Sequence, residues 1–176
     1  YARNMCGLDA HTTEVNPDCK APVIDILATQ KQIILNKQYG GTMRLGAYAA
    51  TLENSKVLDL YKRTGRLKKD RKRIDDLKNN PKQSFRLGIL NGAENIILER
   101  HRHRFEVNPK YVEQMVKKGL LFSGFHIRED GTKLMEFLEL PNHRFFVGTQ
   151  AHPEFKSRFG DPSPLFLGFL EACMKS

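Results

Sequence analysis

The sequence predicts an α/β domain, and three observations carry that reading. Apolar runs of strand length recur at residues 22–27, 96–98, 120–127, 134–140 and 145–150. Helical spacing of apolar residues marks 108–119 and 163–174. Turn residues such as Asn79-Asn80-Pro81 and Asp130-Gly131 punctuate the chain between these segments. A chain of 176 residues suits one domain with a real core.

Taken in order, residues 1–8 read as the end of a helix: no N-cap precedes them and Gly7 serves as C-cap. A chain that opens in mid-helix is expected to be a fragment of something longer. Residues 22–27 predict a strand, and 40–46 a tight turn into a further extended piece. Residues 55–61 start a helix, with Asn54 or Ser55 as N-cap and Val57, Leu58 and Leu60 facing inward. The following segment, about 62–90, reads as a basic surface insertion, helical around 71–77 and mobile. Residues 96–98 resume the core as a strand running into Arg100-His101-Arg102-His103-Arg104. Strand alternation puts the arginines on one side and the histidines on the other, so Arg100 and Arg102 read as buried support or domain-contact residues beside Arg104. Asn108-Pro109 caps a helix with Tyr111, Met115 and Leu120 on one face, and Asp130-Gly131 turns a hairpin. Ser163-Pro164 opens the last helix, whose core face is expected to be Leu165, Phe166, Phe169, Leu170 and Cys173. Phe105, Phe145 and Phe146 are expected in the core, and no internal repeat is present.

The net charge of +9 suggests a polyanion partner until it is located. Residues 62–86 hold eleven Lys and Arg against three Asp, and so carry +8 of the +9. The basicity belongs to one segment, which contains Phe85 as its single aromatic residue and matches no nucleic-acid reading motif. No apolar run approaches the roughly 20 residues of a membrane-spanning helix. The start, Tyr1-Ala2-Arg3-Asn4, has no apolar stretch of a signal peptide behind it. Three widely spaced cysteines, Cys6, Cys19 and Cys173, argue against a disulfide framework or structural zinc site and for a reducing compartment.

Chemistry concentrates at Gly148-Thr149-Gln150-Ala151-His152-Pro153-Glu154, just past an apolar strand, where open α/β sheets place their sites. Proline stiffens the link between the imidazole and the carboxylate. A carboxylate bonded to one ring nitrogen fixes the tautomer and leaves the other nitrogen to handle a proton, which is the base-and-orienter half of a nucleophilic triad. Short motifs match by chance, and a strand-end histidine beside a solvated glutamate is the commoner meaning of H-P-E. His152 with Glu154, or His101 with His103, supplies two metal ligands without an obvious third and fourth. His11, His126 and His143 have no partner pattern.

Four blocks occur in order: Gly41-Thr-Met-Arg-Leu-Gly46, Glu99-Arg-His-Arg-His-Arg-Phe-Glu-Val-Asn108, Gly148-Thr-Gln-Ala-His-Pro-Glu154 and Pro162-Ser-Pro-Leu-Phe166. Together they closely resemble the C-terminal part of the glutaminase domain of the CTP synthase family, within the class I glutamine amidotransferases. The likeness covers nearly the whole chain apart from the basic insertion. It implies a flavodoxin-like mixed sheet flanked by helices, with residues 1–176 as the C-terminal part of one glutaminase domain. It also implies glutamine hydrolysis by a Cys-His-Glu triad, with His152 as base and acid and Glu154 as its partner. Glu14 matches the family's glutamine-contacting glutamate and Arg104 its glutamine-contacting arginine, opposite charges for a zwitterionic amino acid. Charge favours Glu14 on the ammonium and Arg104 on the carboxylate, a division the sequence itself does not fix.

The family's nucleophile lies in a G-x-C-x-G elbow upstream of the segment that begins at Tyr1. None of Cys6, Cys19 and Cys173 stands in such an elbow, so each reads as structural. The resemblance further implies that ammonia passes to an N-terminal synthetase domain, where ATP and Mg2+ drive amination of UTP to CTP. It implies GTP as an allosteric activator, a homotetramer as the working form and a cytoplasmic location. No cofactor or metal is expected in these residues themselves, and neither membrane nor nucleic acid is expected as a partner. Two rival readings stand beside it: a catalytically degenerate amidotransferase scaffold, and a polyanion or nucleic-acid-binding module built on 62–86.

Overall fold

The computed structural model describes residues 1–27 and 43–174, in two compact units. One comprises Tyr1–Leu45 with Arg102–Leu120, the other Gly46–His101 with Leu121–Ser176. In the first unit the opening residues wind as turns that stop at Gly7, whose φ of 66° is left-handed. The Leu8 N–H donates to the Ala2 carbonyl and the Gly7 N–H to the Arg3 carbonyl, both at 3.2 Å. The Gly7 bond is that of a left-handed glycine cap, but the residues before it are turns where the sequence predicts a helix end. Strand β1 (Ala10–Thr12) runs parallel to β2 (Ala21–Asp25), and β2 pairs antiparallel with β5 (Glu106–Val107). Helix α3 (Pro109–Lys117) opens on Asn108, whose side-chain oxygen accepts from the Lys110 N–H at 3.1 Å. The same amide donates to the Pro22 carbonyl at 3.0 Å, so the cap also ties the helix to β2. Tyr111, Met115 and Leu120 are buried as their spacing predicts.

The second sheet has the order β4-β3-β6-β7-β8, formed by β3 (Arg44–Leu52), β4 (Ile96–His103), β6 (Leu121–Ile127), β7 (Lys133–Glu139) and β8 (Val147–Thr149). Pairing is antiparallel from β3 through β6 and β7 to β8. The predicted hairpin joins β6 to β7, with Gly131 at φ 82° and the Arg128 N–H bonded to the Thr132 carbonyl at 2.9 Å. Of the predicted glycine turn, residues 40–42 lie outside the described residues. Helix α1 (Lys56–Arg63) is capped by Ser55, whose Oγ accepts from the Leu58 N–H at 3.1 Å. The buried Glu139 carboxylate accepts from the Lys56 and Val57 N–H groups, each at 3.1 Å, and so places a negative charge at the positive end of the helix. Leu52, Val57, Leu58, Tyr61, Ile97, Phe137 and Leu165 pack as the main core cluster.

Three expectations need correction. The basic run is not a loosely helical surface excursion: α2 (Arg66–Lys78) is a full helix, and Arg66, Asp70 and Ile74, four residues apart, form its buried face. Two of those three inward positions are charged, which hides the face from any apolar pattern. The core face of α4 (Pro164–Met174) is Pro164, Leu165 and Gly168, whereas Phe166, Phe169, Leu170 and Cys173 are exposed. Gly168 is the reason: a Cβ there would meet Leu60 Cδ2 at 2.6 Å, so the helix docks through its smallest residue and turns its larger ones away. Phe146 is likewise exposed rather than in the core.

Gly88 sits at the closest approach in this unit. Its φ is 59°, and a Cβ would lie 2.1 Å from the Ile127 carbonyl oxygen, against rigid backbone. Gly88→Ala is therefore expected to lower stability by about 3 kcal/mol, combining left-handed strain with overpacking. Urea unfolding measures this, and a midpoint equal to wild type would contradict the close packing.

Candidate active site

Main-chain hydrogen bonds set the path of the segment after β8. The Gln150 N–H donates to the Glu136 carbonyl at 3.1 Å, the Ala151 N–H to Thr149 Oγ1 at 3.0 Å and the His152 N–H to the Arg100 carbonyl at 2.8 Å. The Gln150 side-chain amide donates to the Met135 carbonyl. Pro153 then opens a short 3-10 turn, Pro153–Lys156, closed by the Phe155 N–H on the His152 carbonyl at 3.1 Å. The fixed φ of proline folds the chain back, so that Glu154 Oε1 lies 2.7 Å from His152 Nδ1. The Phe155 ring stacks on the imidazole, with centroids 5.3 Å apart and planes 26° from parallel.

This arrangement assigns roles to the two ring nitrogens. The hydrogen bond from His152 holds the Glu154 carboxyl below the ordinary glutamate range, so Glu154 is an ionised acceptor and Nδ1 carries the proton. His152 Nε2 bonds to no described residue. With side chains 37% and 51% exposed, the pair presents a basic nitrogen to incoming groups.

Behind the turn lies a buried ion cluster that sequence reasoning missed. Lys156 Nζ reaches both Asp70 oxygens, at 3.0 and 2.9 Å, Glu99 Oε1 at 3.2 Å and the Leu98 carbonyl. Asp70 Oδ2 also accepts from the Leu98 N–H at 3.0 Å, and Tyr61 donates its hydroxyl to Glu99 at 2.9 Å. The cluster binds the turn Pro153–Lys156 to α2 and β4. The available signal was Asp70 itself, an acid placed four residues from Arg66 and from Ile74 within a cationic run.

Burial pushes the Glu99 carboxyl up, with Lys156 and Tyr61 pulling it partly back. A carboxyl raised in the folded state contributes stability that is fully present below its unfolded value, about 4.3, and lost as pH rises through the folded value. Glu99→Gln is therefore expected to flatten the decline of unfolding free energy with pH in the window above about 4.3. Urea titrations across that window test it, and an unchanged slope would rule out the assignment.

The remaining predicted residues lie in the first unit. Glu14 occupies the exposed turn after β1, its N–H bonded to Thr12 Oγ1 at 3.2 Å. Arg104 is half-buried at the bend that follows β4. Alternation in β4 holds, and it overturns the buried-support reading of the arginines but not the domain-contact one: Arg100 and Arg102 are exposed, while His101 is buried 3.5 Å from Glu136. His103 Nε2 pairs with Glu106 at 3.0 Å, so the two histidines serve different carboxylates and share no ligand set. Glu106 also lies 3.5 Å from the buried Arg44 of the glycine-rich block. His126, without a pattern in the sequence, bonds the Ala49 carbonyl at 2.8 Å inside the core. Among the described residues, no group of three His, Cys, Asp or Glu is placed to hold a metal ion, and no helix is long and apolar enough to cross a membrane. Cys6 and Cys19 are half-buried and Cys173 is exposed, all as free thiols.

Comparison with known proteins shows the family. A sequence model described as glutamine amidotransferase class-I matches residues 23–172. The CTP synthase of Methanopyrus kandleri is 47% identical over 173 residues, which are 98% of this chain and 26% of that protein. The CTP synthase of Sulfolobus acidocaldarius is 45% identical over 172 residues, 97% of this chain and 25% of that one. The chain thus spans about a quarter of the length of these curated relatives. A solved structure described as the glutaminase domain of Trypanosoma brucei CTPS with bound acivicin superposes with a TM-score of 0.71 at 29% identity, covering 99% of this chain and 55% of that one.

Proposed function

Since the chain belongs to the class I glutamine amidotransferases, we propose that it is the C-terminal part of the glutaminase region of a CTP synthase, where His152 serves a cysteine carried outside these residues. The observation that carries this reading is the 2.7 Å bond between Glu154 and His152 Nδ1, with Nε2 left to work. Nε2 takes the thiol proton, and the thiolate attacks the side-chain amide carbon of glutamine. The same nitrogen returns the proton to the departing nitrogen, releasing ammonia and leaving a thioester. It then activates water, which frees glutamate and restores the thiol. Glu154 holds the ring in one tautomer and stabilises the imidazolium. Glu14 receives the substrate ammonium and Arg104 its carboxylate by a two-pronged contact.

In the full polypeptide, the ammonia passes to a synthetase domain where ATP and Mg2+ drive amination of UTP to CTP. GTP activates that enzyme, and it works as a homotetramer in the cytoplasm. Identity above 40% to CTP synthases along nearly the whole chain supports this setting over other amidotransferases.

Covalent labelling of the full polypeptide with a glutamine-mimicking electrophile tests the proposal. One label is expected, on a cysteine outside residues 1–176. Attachment to Cys6, Cys19 or Cys173 with none elsewhere would overturn it.

A further inference from the structure

Phe155, stacked on His152, also lines a cavity of about 410 Å3 in the second unit, whose walls carry Arg66, Arg73, Arg100, Lys156, Arg158 and a single carboxylate, Asp161. Charges at the base of this cavity are already engaged. Arg66 is buried and bonds Asp161 Oδ1 at 3.3 Å together with the carbonyls of Lys156, Asp161 and Pro162. Lys156 is held by Asp70 and Glu99. Asp161 takes a second cation, Lys69 at 2.8 Å, and Lys69 and Arg66 hold its carboxyl below the usual aspartate range.

Arg73, Arg100 and Arg158 are different. None of them forms a salt bridge with a described residue: Arg73 adds only its field to the Asp161 carboxylate, Arg158 donates to the Ser157 carbonyl at 2.7 Å, and the Arg100 guanidinium lies 6.0 Å from the Phe155 ring centroid. They reach one cavity from three separate elements, α2, β4 and the segment after the 3-10 turn. Three like charges around one recess repel each other and raise the local potential for anions. Guanidinium groups also offer planar, paired donors that match phosphoryl oxygens.

We propose that this cavity binds the phosphoanhydride chain of a small molecule, with Arg73, Arg100 and Arg158 as its donors. The cavity adjoins the His152 turn through Phe155 and Lys156, and its assignment does not rest on the glutamine chemistry. A chain bearing three or four negative charges neutralises the three arginines, and their convergence on one recess suits a compact ligand better than an extended nucleic-acid backbone.

The test is isothermal titration of the full polypeptide with tripolyphosphate, without glutamine, comparing wild type with Arg73→Glu/Arg158→Glu. Any nucleotide sites elsewhere are common to both proteins and cancel in the comparison. The dissociation constant is expected to rise about tenfold or more, which is about 1.4 kcal/mol or more. Both side chains are exposed, so circular dichroism and melting temperature should stay at wild-type values. Arg73→Gln/Arg158→Gln, which adds no negative charge, should weaken binding in the same direction. Equal affinity in all three proteins, or no saturable binding by wild type, would overturn the proposal. So would a single-stranded oligonucleotide whose binding needs these arginines while tripolyphosphate does not.

Discussion

His152→Ala in the full polypeptide is expected to lower kcat for glutamine hydrolysis by at least about a thousandfold, the upper part of the range for a single acid–base group. In the proposed mechanism four proton transfers pass through Nε2, and no neighbouring side chain replaces it: Glu154 is held ionised by the imidazole beside it, and Phe155 has no proton to give. Under the proposed function, CTP formation from added ammonia bypasses these transfers and should continue at the wild-type rate. The contrast separates lost chemistry from lost folding. A variant that hydrolyses glutamine normally would end the glutaminase reading, and one that fails with both nitrogen sources would point to a structural role instead.

Lys156→Met carries the second large effect. It leaves Asp70, fully buried, with the Leu98 N–H but no cation, and breaking one partner of a buried ion pair costs about 3–5 kcal/mol. Glu99, already raised by burial, can take up a proton and escape the same penalty. The companion Asp70→Asn keeps an acceptor for the Leu98 N–H. In the double variant the loss should therefore be much smaller than the sum of the two single losses, since neutral partners require no compensation. Urea unfolding of the four proteins gives the coupling, and additive losses would show that the pair is not an energetic unit. Deletion of residues 62–86, harmless if they were a free surface insertion, would remove Asp70 along with the helix and is expected to disable the catalytic turn.

Local rules account for most of what the sequence disclosed. Ser55 and Asn108 mark helix starts because a short polar side chain must satisfy free N–H groups there, and both do so. Asp130-Gly131 marks a hairpin because the turn needs a positive φ. The contact between His152 and Glu154 was legible because proline fixes their relation over three residues, whereas their reading as a site rested on the family resemblance of the surrounding blocks. What stayed hidden depends on contacts distant in sequence. Asp70 and Lys156 are 86 residues apart, and each alone looks like surface charge. In α4 the apolar residues outnumber the inward positions, so periodicity could not choose among them; packing of Gly168 against Leu60 made the choice. The same limit applies to β4, where alternation predicted two faces but not which one would be buried.

The bond from the His152 amide to the Arg100 carbonyl has a practical consequence. It is made by peptide groups alone, so exchanging the imidazole for a methyl group leaves the anchoring of that loop in place. An inactive form made this way is a natural trap, able to retain the uncleaved amino acid long enough for its pose to be determined directly.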